Sequence, residues 1–352
     1  MGNRHHNKTR TLLVANKGAV PGQDILDLFK VAFSDELYGD EIDEVELREQ
    51  VQAVKANLYD REYTKAFDSV EKRVAYCCRW SPSRAVAYSS LFASLKPVKN
   101  VLQCKHPDDG LDEEDSDSDS DDITQHLSKR LESLDLDPLS MNVLCIGGGA
   151  GGELVSFASI FAPSRDYNSQ YATDKREKKF SSLNIQVVDI ADWSDIVGRI
   201  DHTIKSKWLR SQSENFSINF KHADILSMTT SQLNLDKVNL ISLLFTTNEL
   251  FMEDKAKSIR FLQQLNKNCA SGTYLLIVES AGSFSHIEVG SKKFPIQFLI
   301  DTILQGKRGD EENGCWDLVD MEDSIWYRCD EKFDYKLKLE NMRFFYRLYR
   351  KK

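Results

Sequence analysis

Five glycines fall within the six positions 147–152, directly after the apolar run Val143–Ile146 and directly before "ELVSF". Few features constrain a chain more. Where a strand hands over to a helix through bare backbone, amide N–H groups point outward, the helix dipole faces the same side and no β-carbon obstructs a ligand. The spacing Gly147-x-Gly149-x-x-Gly152 is also that of a dinucleotide-binding turn. The segment predicts an α/β domain with a nucleotide-type ligand at the end of a strand. It leaves open whether that ligand is a dinucleotide or an adenosine-type cofactor.

The rest of the carboxyl-terminal half agrees with such a domain. Short β-rich runs at Asn142–Ile146, Asn184–Val188, Ser217–Lys221, Val238–Phe245 and Thr273–Glu279 alternate with amphipathic stretches. Helical stripes run through Leu154, Phe157, Ala158 and Phe161, through Trp193, Ile196, Val197 and Ile200, and through Ile259, Leu262 and Leu265. That alternation predicts a parallel sheet covered on both faces. After a further helix near Phe294–Leu304, the runs "SIWYRC" and "RFFYRLY" read as an antiparallel pair at the sheet edge, since no crossover helix separates them. The polar stretch 163–180 reads as a surface loop.

Charge divides the chain. Residues 108–122 hold ten acids and no base, which outweighs the formal net charge of −9 and leaves the other residues at +1. One apolar residue in that stretch predicts a solvated linker, with Ser116, Ser118 and Ser120 set among acids. The organisation read from the sequence is a basic and polar segment 1–42, a helical module 43–105, a linker 106–124 and an α/β domain 135–352. Within the helical module, Ser81-Pro82 reads as a break, with Ser81 or Ser83 capping a new helix. No apolar run approaches the ~18 residues of a membrane span, and the start "MGNRHHNKTR" carries no apolar signal stretch. Seven cysteines form no CxxC pair and read as reduced thiols of an intracellular protein. Seven histidines show no ligand spacing, so no metal is implied.

Two carboxylates help to choose the ligand. Asp189 ends the second strand of the domain, where it can accept both hydroxyls of a ribose, and Asp224 follows the third, where it can take an adenine amino hydrogen. Each has a bland reading as a helix cap or turn residue, with Asp192 the better cap near Asp189. With Gly147, Gly149 and Gly151 they converge on one crevice at the carboxyl ends of successive strands, and this favours an adenosine-type ligand.

These residues resemble the class I S-adenosylmethionine-dependent methyltransferases. More narrowly, "CIGGGAGGEL", "LLFTTNELF" and "RWSPSRAVAYSSLF" look like the fungal 25S ribosomal RNA uridine-N3 methyltransferase family. The resemblance covers most of residues 55–350. It implies a Rossmann-like seven-stranded sheet with an antiparallel last strand, S-adenosyl-L-methionine as cofactor, ribosomal RNA of the large subunit as partner, a monomer, and a place in the nucleus, nucleolus and cytoplasm. One departure stands out: the superfamily often has an acid two residues before the first glycine, and here that residue is Cys145. The cofactor's amino group then needs another acceptor.

The resemblance puts the segment after the fourth strand, Thr246 to Glu249, opposite the methyl group. Thr247, Asn248 and Glu249 are the catalytic candidates, Asn248 as a base-edge partner and Glu249 as a proton acceptor or, equally, a helix-end residue. Arg79, Trp80 and Arg84 are candidates for holding RNA, Trp80 alternatively as an interdomain contact, and the basic tail Lys336–Lys352 suits phosphates. Two other readings are weighed: a non-catalytic ribosome-assembly factor with a degenerate pocket, and an NAD-dependent oxidoreductase, which lacks an evident hydride-transfer His or Tyr-Lys pair. Three expectations follow. Residues 135–352 should hold every strand and the whole cofactor site, the amino-terminal helices should serve RNA, and Gly149→Arg should block the cofactor without harming the fold.

Overall fold

The computed structural model describes residues 10–12, 18–105, 139–165, 181–282, 286–289, 292–307, 309 and 311–352. The expected acidic linker and most of the polar loop at 163–180 lie outside them, as do residues 1–9.

In chain order the strands are β1 (Arg10–Leu12), β2 (Ser140–Ile146), β3 (Ser182–Asp189), β4 (Phe216–His222), β5 (Leu240–Leu244) and β6 (Tyr274–Ser280). A small hairpin of β7 (His286–Val289) and β8 (Lys292–Pro295) follows, then β9 (Trp316–Tyr327) and β10 (Met342–Lys351). The main sheet runs β1-β9-β10-β6-β5-β2-β3-β4. Strands β2 to β6 pair in parallel, and β10 is antiparallel to both β6 and β9. The expected seven-stranded sheet with its reversed last strand is therefore present. The reversed strand β10 lies inside the sheet between β6 and β9 rather than at its edge.

Period-two alternation assigns each strand's side chains to opposite layers. Val143 and Cys145 of β2 join one core, Leu144 and Ile146 the other; Leu276 and Val278 of β6 divide from Leu275 and Ile277 in the same way. One layer is covered by α10 (Thr247–Glu253), α11 (Lys255–Asn268) and α12 (Ile296–Gln305) beside the short α9 (Thr230–Leu233). The other is covered by α7 (Gly152–Phe161) and α8 (Ser194–Ile204), together with the amino-terminal helices: α1 (Gly22–Ala32), α2 (Ser34–Tyr38), α3 (Glu41–Tyr59), α4 (Tyr63–Ala66), α5 (Val70–Ser94) and α6 (Lys96–Leu102).

Three expectations change here. The segment 1–42 holds α1 and α2, so helical structure starts before residue 43. The sheet has an eighth strand, β1, paired parallel to β9 with Thr11 opposite Trp326, so the α/β part does not contain every strand. The amino-terminal helices share one apolar core with the sheet instead of forming a separate module. Helix α5 lies against α7 through small side chains: Ser156 Oγ donates to the Ala85 carbonyl at 2.9 Å, and Ser89 and Ser159 hydroxyls meet at 2.7 Å. Arg199 of α8 adds a bidentate bridge to Glu36 at 2.7 Å.

Pro82 does not break a helix. Helix α5 runs unbroken across it, and the amide that proline lacks would have served the Cys78 carbonyl four residues earlier. The Tyr335 hydroxyl, from the β9–β10 connection, donates to that carbonyl at 2.9 Å instead. Ser81 and Ser83 are interior to the helix, and its true cap is Ser69, which accepts from the Lys72 amide.

Candidate functional site

A cleft of about 530 Å³ opens at the carboxyl ends of β2, β3, β4 and β5, within the range of small-molecule sites. Its floor is the glycine turn. Gly147 sits at φ +77°, and a β-carbon there would meet Thr246 Oγ1 at 2.3 Å. The Gly147 amide donates to the Val188 carbonyl at 2.9 Å, tying the turn to β3. From the other side α5 holds it: Ser81 Oγ and Cys77 Sγ both donate to the Ala150 carbonyl, at 2.7 and 3.3 Å.

The glycines divide into two kinds. Gly147, Gly148 and Gly152 face the cleft, whereas Gly149 and Gly151 do not. A β-carbon on Gly149 would stand 2.2 Å from the Trp193 ring, and one on Gly151 2.0 Å from Ile200. Their lack of a side chain serves close packing against the start and middle of α8. Gly149→Arg would therefore strike the fold itself, contrary to expectation.

Asp189 is where the sequence places it, at the end of β3 and on the cleft wall. Its Oδ2 accepts the Gly149 amide at 3.0 Å and its Oδ1 the Ala191 amide at 3.1 Å. Burial raises its pKa, and those amide bonds oppose the rise. Asp224 also reaches the cleft, while its oxygens take the Leu226 amide at 2.9 Å and the Ser227 hydroxyl at 2.5 Å. The bland reading of Asp224 as a cap is thus realised, with the same carboxylate still presented to the cleft.

Of the segment after the fourth parallel strand, Thr246 and Glu249 line the cleft; Thr247 and Asn248 do not. Thr247 is buried with its hydroxyl unpartnered among the described residues, and the Asn248 amide donates to Glu279 Oε2 at 3.0 Å. Helical rotation explains this: Thr247 begins α10, and the face turned inward carries Glu249, Leu250 and Glu253 rather than Thr247 and Asn248. Glu249 is half-buried and enclosed by the cleft walls. Its pKa is pushed up to about 8, by burial first and then by the charges of Glu279 and Asp189, with Arg84 opposing. Phe245, just before, holds φ +60°, a conformation a bulky side chain adopts at a cost of ~1–3 kcal/mol.

The RNA candidates stand elsewhere than expected. Arg84 is inside the cleft: its guanidinium bonds the Tyr76 hydroxyl and lies 5.4 Å from the Tyr76 ring centroid and 5.3 Å from that of Phe245. Arg79 pairs with Glu340 at 2.5 Å and with the Lys338 carbonyl. Trp80 packs half-buried on Tyr76 one turn earlier in the same helix, ring centroids 5.1 Å apart. In the basic tail, Arg347 is 3 % exposed and bridges Asp323 at 2.5 Å, while Lys336 pairs with Glu44. These two charges are used structurally.

Sequence reasoning missed much of the cleft. Tyr63, Phe67, Arg73, Tyr76 and Tyr88, all from before residue 105, form one wall, so residues 135–352 alone do not contain the site. Glu153 was also missed. It is the first residue after the last glycine, buried, with its pKa pushed up to about 7 by burial. Glu279, at the end of β6, is raised to about 7 for the same reason, against amide bonds from Asn248 and Ser280. Glu279 lies behind the cleft, joined to it through the Asn248 amide, whereas Glu153 and Glu249 are raised carboxyls on the cleft itself, and such groups mark a functional site. Among the described residues no group of three or more His, Cys, Asp or Glu could hold a metal ion.

The donor set fits S-adenosylmethionine. Gly147 and Gly148 allow close approach to the backbone, Asp189 suits ribose hydroxyls, Asp224 an adenine amino group, and Ile190, Ile225 and Leu226 supply apolar surface for a purine face.

Comparison with known proteins agrees. The chain is 51 % identical to a 25S rRNA (uridine(2843)-N(3))-methyltransferase of Saccharomyces cerevisiae, over 99 % of this chain and 90 % of that one. Among solved structures, the N-methyltransferase NodS of Bradyrhizobium japonicum aligns at 15 % identity and a TM-score of 0.33, covering 65 % of this chain and 96 % of NodS. A likeness of that size adds nothing to the strand order above. The family model for SAM-dependent methyltransferases matches residues 29–350, and the chain belongs to that family.

Proposed function

We propose that this enzyme methylates N3 of a uridine in large-subunit ribosomal RNA. The observation that carries this reading is the 51 % identity, running over 99 % of the chain, to a yeast enzyme named for that reaction. The cleft supports it chemically. S-adenosylmethionine, when bound, supplies an electrophilic methyl group on a sulfonium. Uridine N3 bears a proton, and its lone pair is nucleophilic only once that proton leaves. Glu249, with a carboxyl raised to about 8, has a basicity close to that of an imide ionising in the mildly alkaline range. The permanent charge of Arg84 stabilises the anionic ring that results. Gly147, Gly148, Asp189 and Asp224 would hold the cofactor, which would supply the methyl group to that N3 lone pair. Tyr76, Tyr88 and Phe245 give flat surfaces against which an unpaired base can be held, and positioning supplies most of the rate.

The same reading has the protein work in the nucleus, nucleolus and cytoplasm, as a monomer on the ribosomal large subunit or its precursor. The test is incubation of the chain with unmodified large-subunit ribosomal RNA and labelled cofactor, followed by nucleoside mapping. Label in 3-methyluridine at one site is expected. Cofactor binding with no methylated nucleoside would favour the non-catalytic assembly factor, and a product on another base would overturn the uridine reading.

A further inference from the structure

The position two residues before Gly147 is Cys145, fully buried and facing the core layer that contains Glu153. Glu153 is itself 4 % exposed. Its Oε2 accepts the Ser242 hydroxyl at 2.6 Å and the Cys145 thiol at 3.2 Å, so both hydrogen bonds fall on one oxygen. Oε1 takes no hydrogen bond from the described residues, and its carboxyl forms part of the cleft wall. Gly148 makes room for this arrangement: a β-carbon there would collide with Cys145 Sγ at 2.2 Å, while Glu153 Oε1 lies within van der Waals contact at 3.5 Å.

A carboxylate so buried stays charged only if a cation meets it. Within the chain the charged groups that act on it are Asp189, which is repulsive, and Arg84, which is already engaged by the Tyr76 hydroxyl and two rings. Of the ligand's two cationic groups, the sulfonium must stay free to face the methyl acceptor. The α-ammonium of its amino-acid end is the group left to pair. We infer that Glu153, reaching from the first turn of α7, accepts the α-ammonium of the cofactor in place of an acid at position 145. The exchange is sterically consistent: a small thiol on β2 leaves room for a longer side chain from the helix, and Ser242 and Cys145 fix its carboxyl plane. The inference rests on the reading of this cleft as the cofactor site.

A four-way binding comparison tests it on the full chain. S-adenosylhomocysteine and its analogue bearing hydrogen in place of the α-amino group are titrated into wild type and Glu153→Gln. Wild type is expected to prefer S-adenosylhomocysteine by about 10- to 100-fold, the value of a hydrogen bond between charged groups. In Glu153→Gln that preference should collapse to within about threefold, with affinity for the deaminated analogue unchanged. Glu153→Asp, which keeps the charge one methylene short, carries the same comparison should Gln not fold. Equal weakening of both ligands would reduce Glu153 to a structural residue, and a preserved preference would overturn the assignment. If wild type binds neither ligand, the reading of the cleft itself fails, a different result from its standing while Glu153 falls.

Discussion

On the proposed mechanism Glu249 accepts the proton and Arg84 supplies a fixed positive charge, and the first of these roles makes a distinct prediction. A base must be ionised to act, so the rate of methyl transfer at saturating cofactor should rise with pH up to about 8 and level off above it. Glu249→Gln should lose ~10²–10⁴-fold in rate together with that rising limb, while cofactor affinity stays put. A slow variant that keeps the wild-type pH profile would assign the limb to another group. Gly149→Ala makes a different point. Its β-carbon would stand against the Trp193 ring, so denaturant unfolding should show a loss of about 1–3 kcal/mol. At this scale the sequence was legible where chemistry follows local order. Asp189 and Asp224 sit at strand ends, and strand ends can be read from periodicity. Arg84 reads from the sequence only as an RNA contact and Glu153 gives no signal at all, because what sets their roles is burial in a shared cleft by elements far apart in the chain.

Helix α5 shows the same division at the scale of elements. Its apolar stripe was readable, but Ser81-Pro82 was read as a boundary because a proline inside a helix leaves a carbonyl without its donor. The missing donor arrives from Tyr335, more than two hundred positions away in sequence, and no local pattern announces it. The strands of the parallel sheet were predicted within one or two residues, since alternation and β-branched content are local properties. The eighth strand, β1, is three residues long and pairs only with β9, so it carries no periodic signal. The Tyr335 contact predicts a coupling that can be measured. Tyr335→Phe should cost about 1–3 kcal/mol of unfolding free energy by orphaning the Cys78 carbonyl. With Pro82→Ala the restored amide can serve that carbonyl, so the same Tyr335→Phe change should cost less there. Equal costs in both backgrounds would mean that the hydroxyl contributes nothing through this bond.

For the molecule as a whole, the raised acids on and behind the cleft set the sign of its pH dependence. Glu153, Glu249 and Glu279 are all raised from the ordinary carboxyl range, to about 7, 8 and 7. Between the unfolded and folded values the native state binds more protons than the unfolded chain, so stability falls as pH rises. Unfolding free energy should therefore be highest near about pH 5 and decline towards about pH 8, and Glu279→Gln should flatten part of that slope. The second consequence concerns division of the chain. Every residue of α7 is buried, much of it beneath α5, and the wall bearing Tyr76, Arg84 and Tyr88 comes from the same amino-terminal helices. Cutting the chain at the acidic stretch would leave the α/β part with α7 bared to water and half of its cleft missing. Such a patch favours self-association. Residues 139–352 expressed alone should aggregate in size-exclusion chromatography and fail to bind S-adenosylhomocysteine by calorimetry, and co-expression with residues 1–105 should restore both. A soluble 139–352 fragment with full cofactor affinity would show that the amino-terminal helices are an accessory after all, and that Arg84 and the tyrosines serve only the RNA.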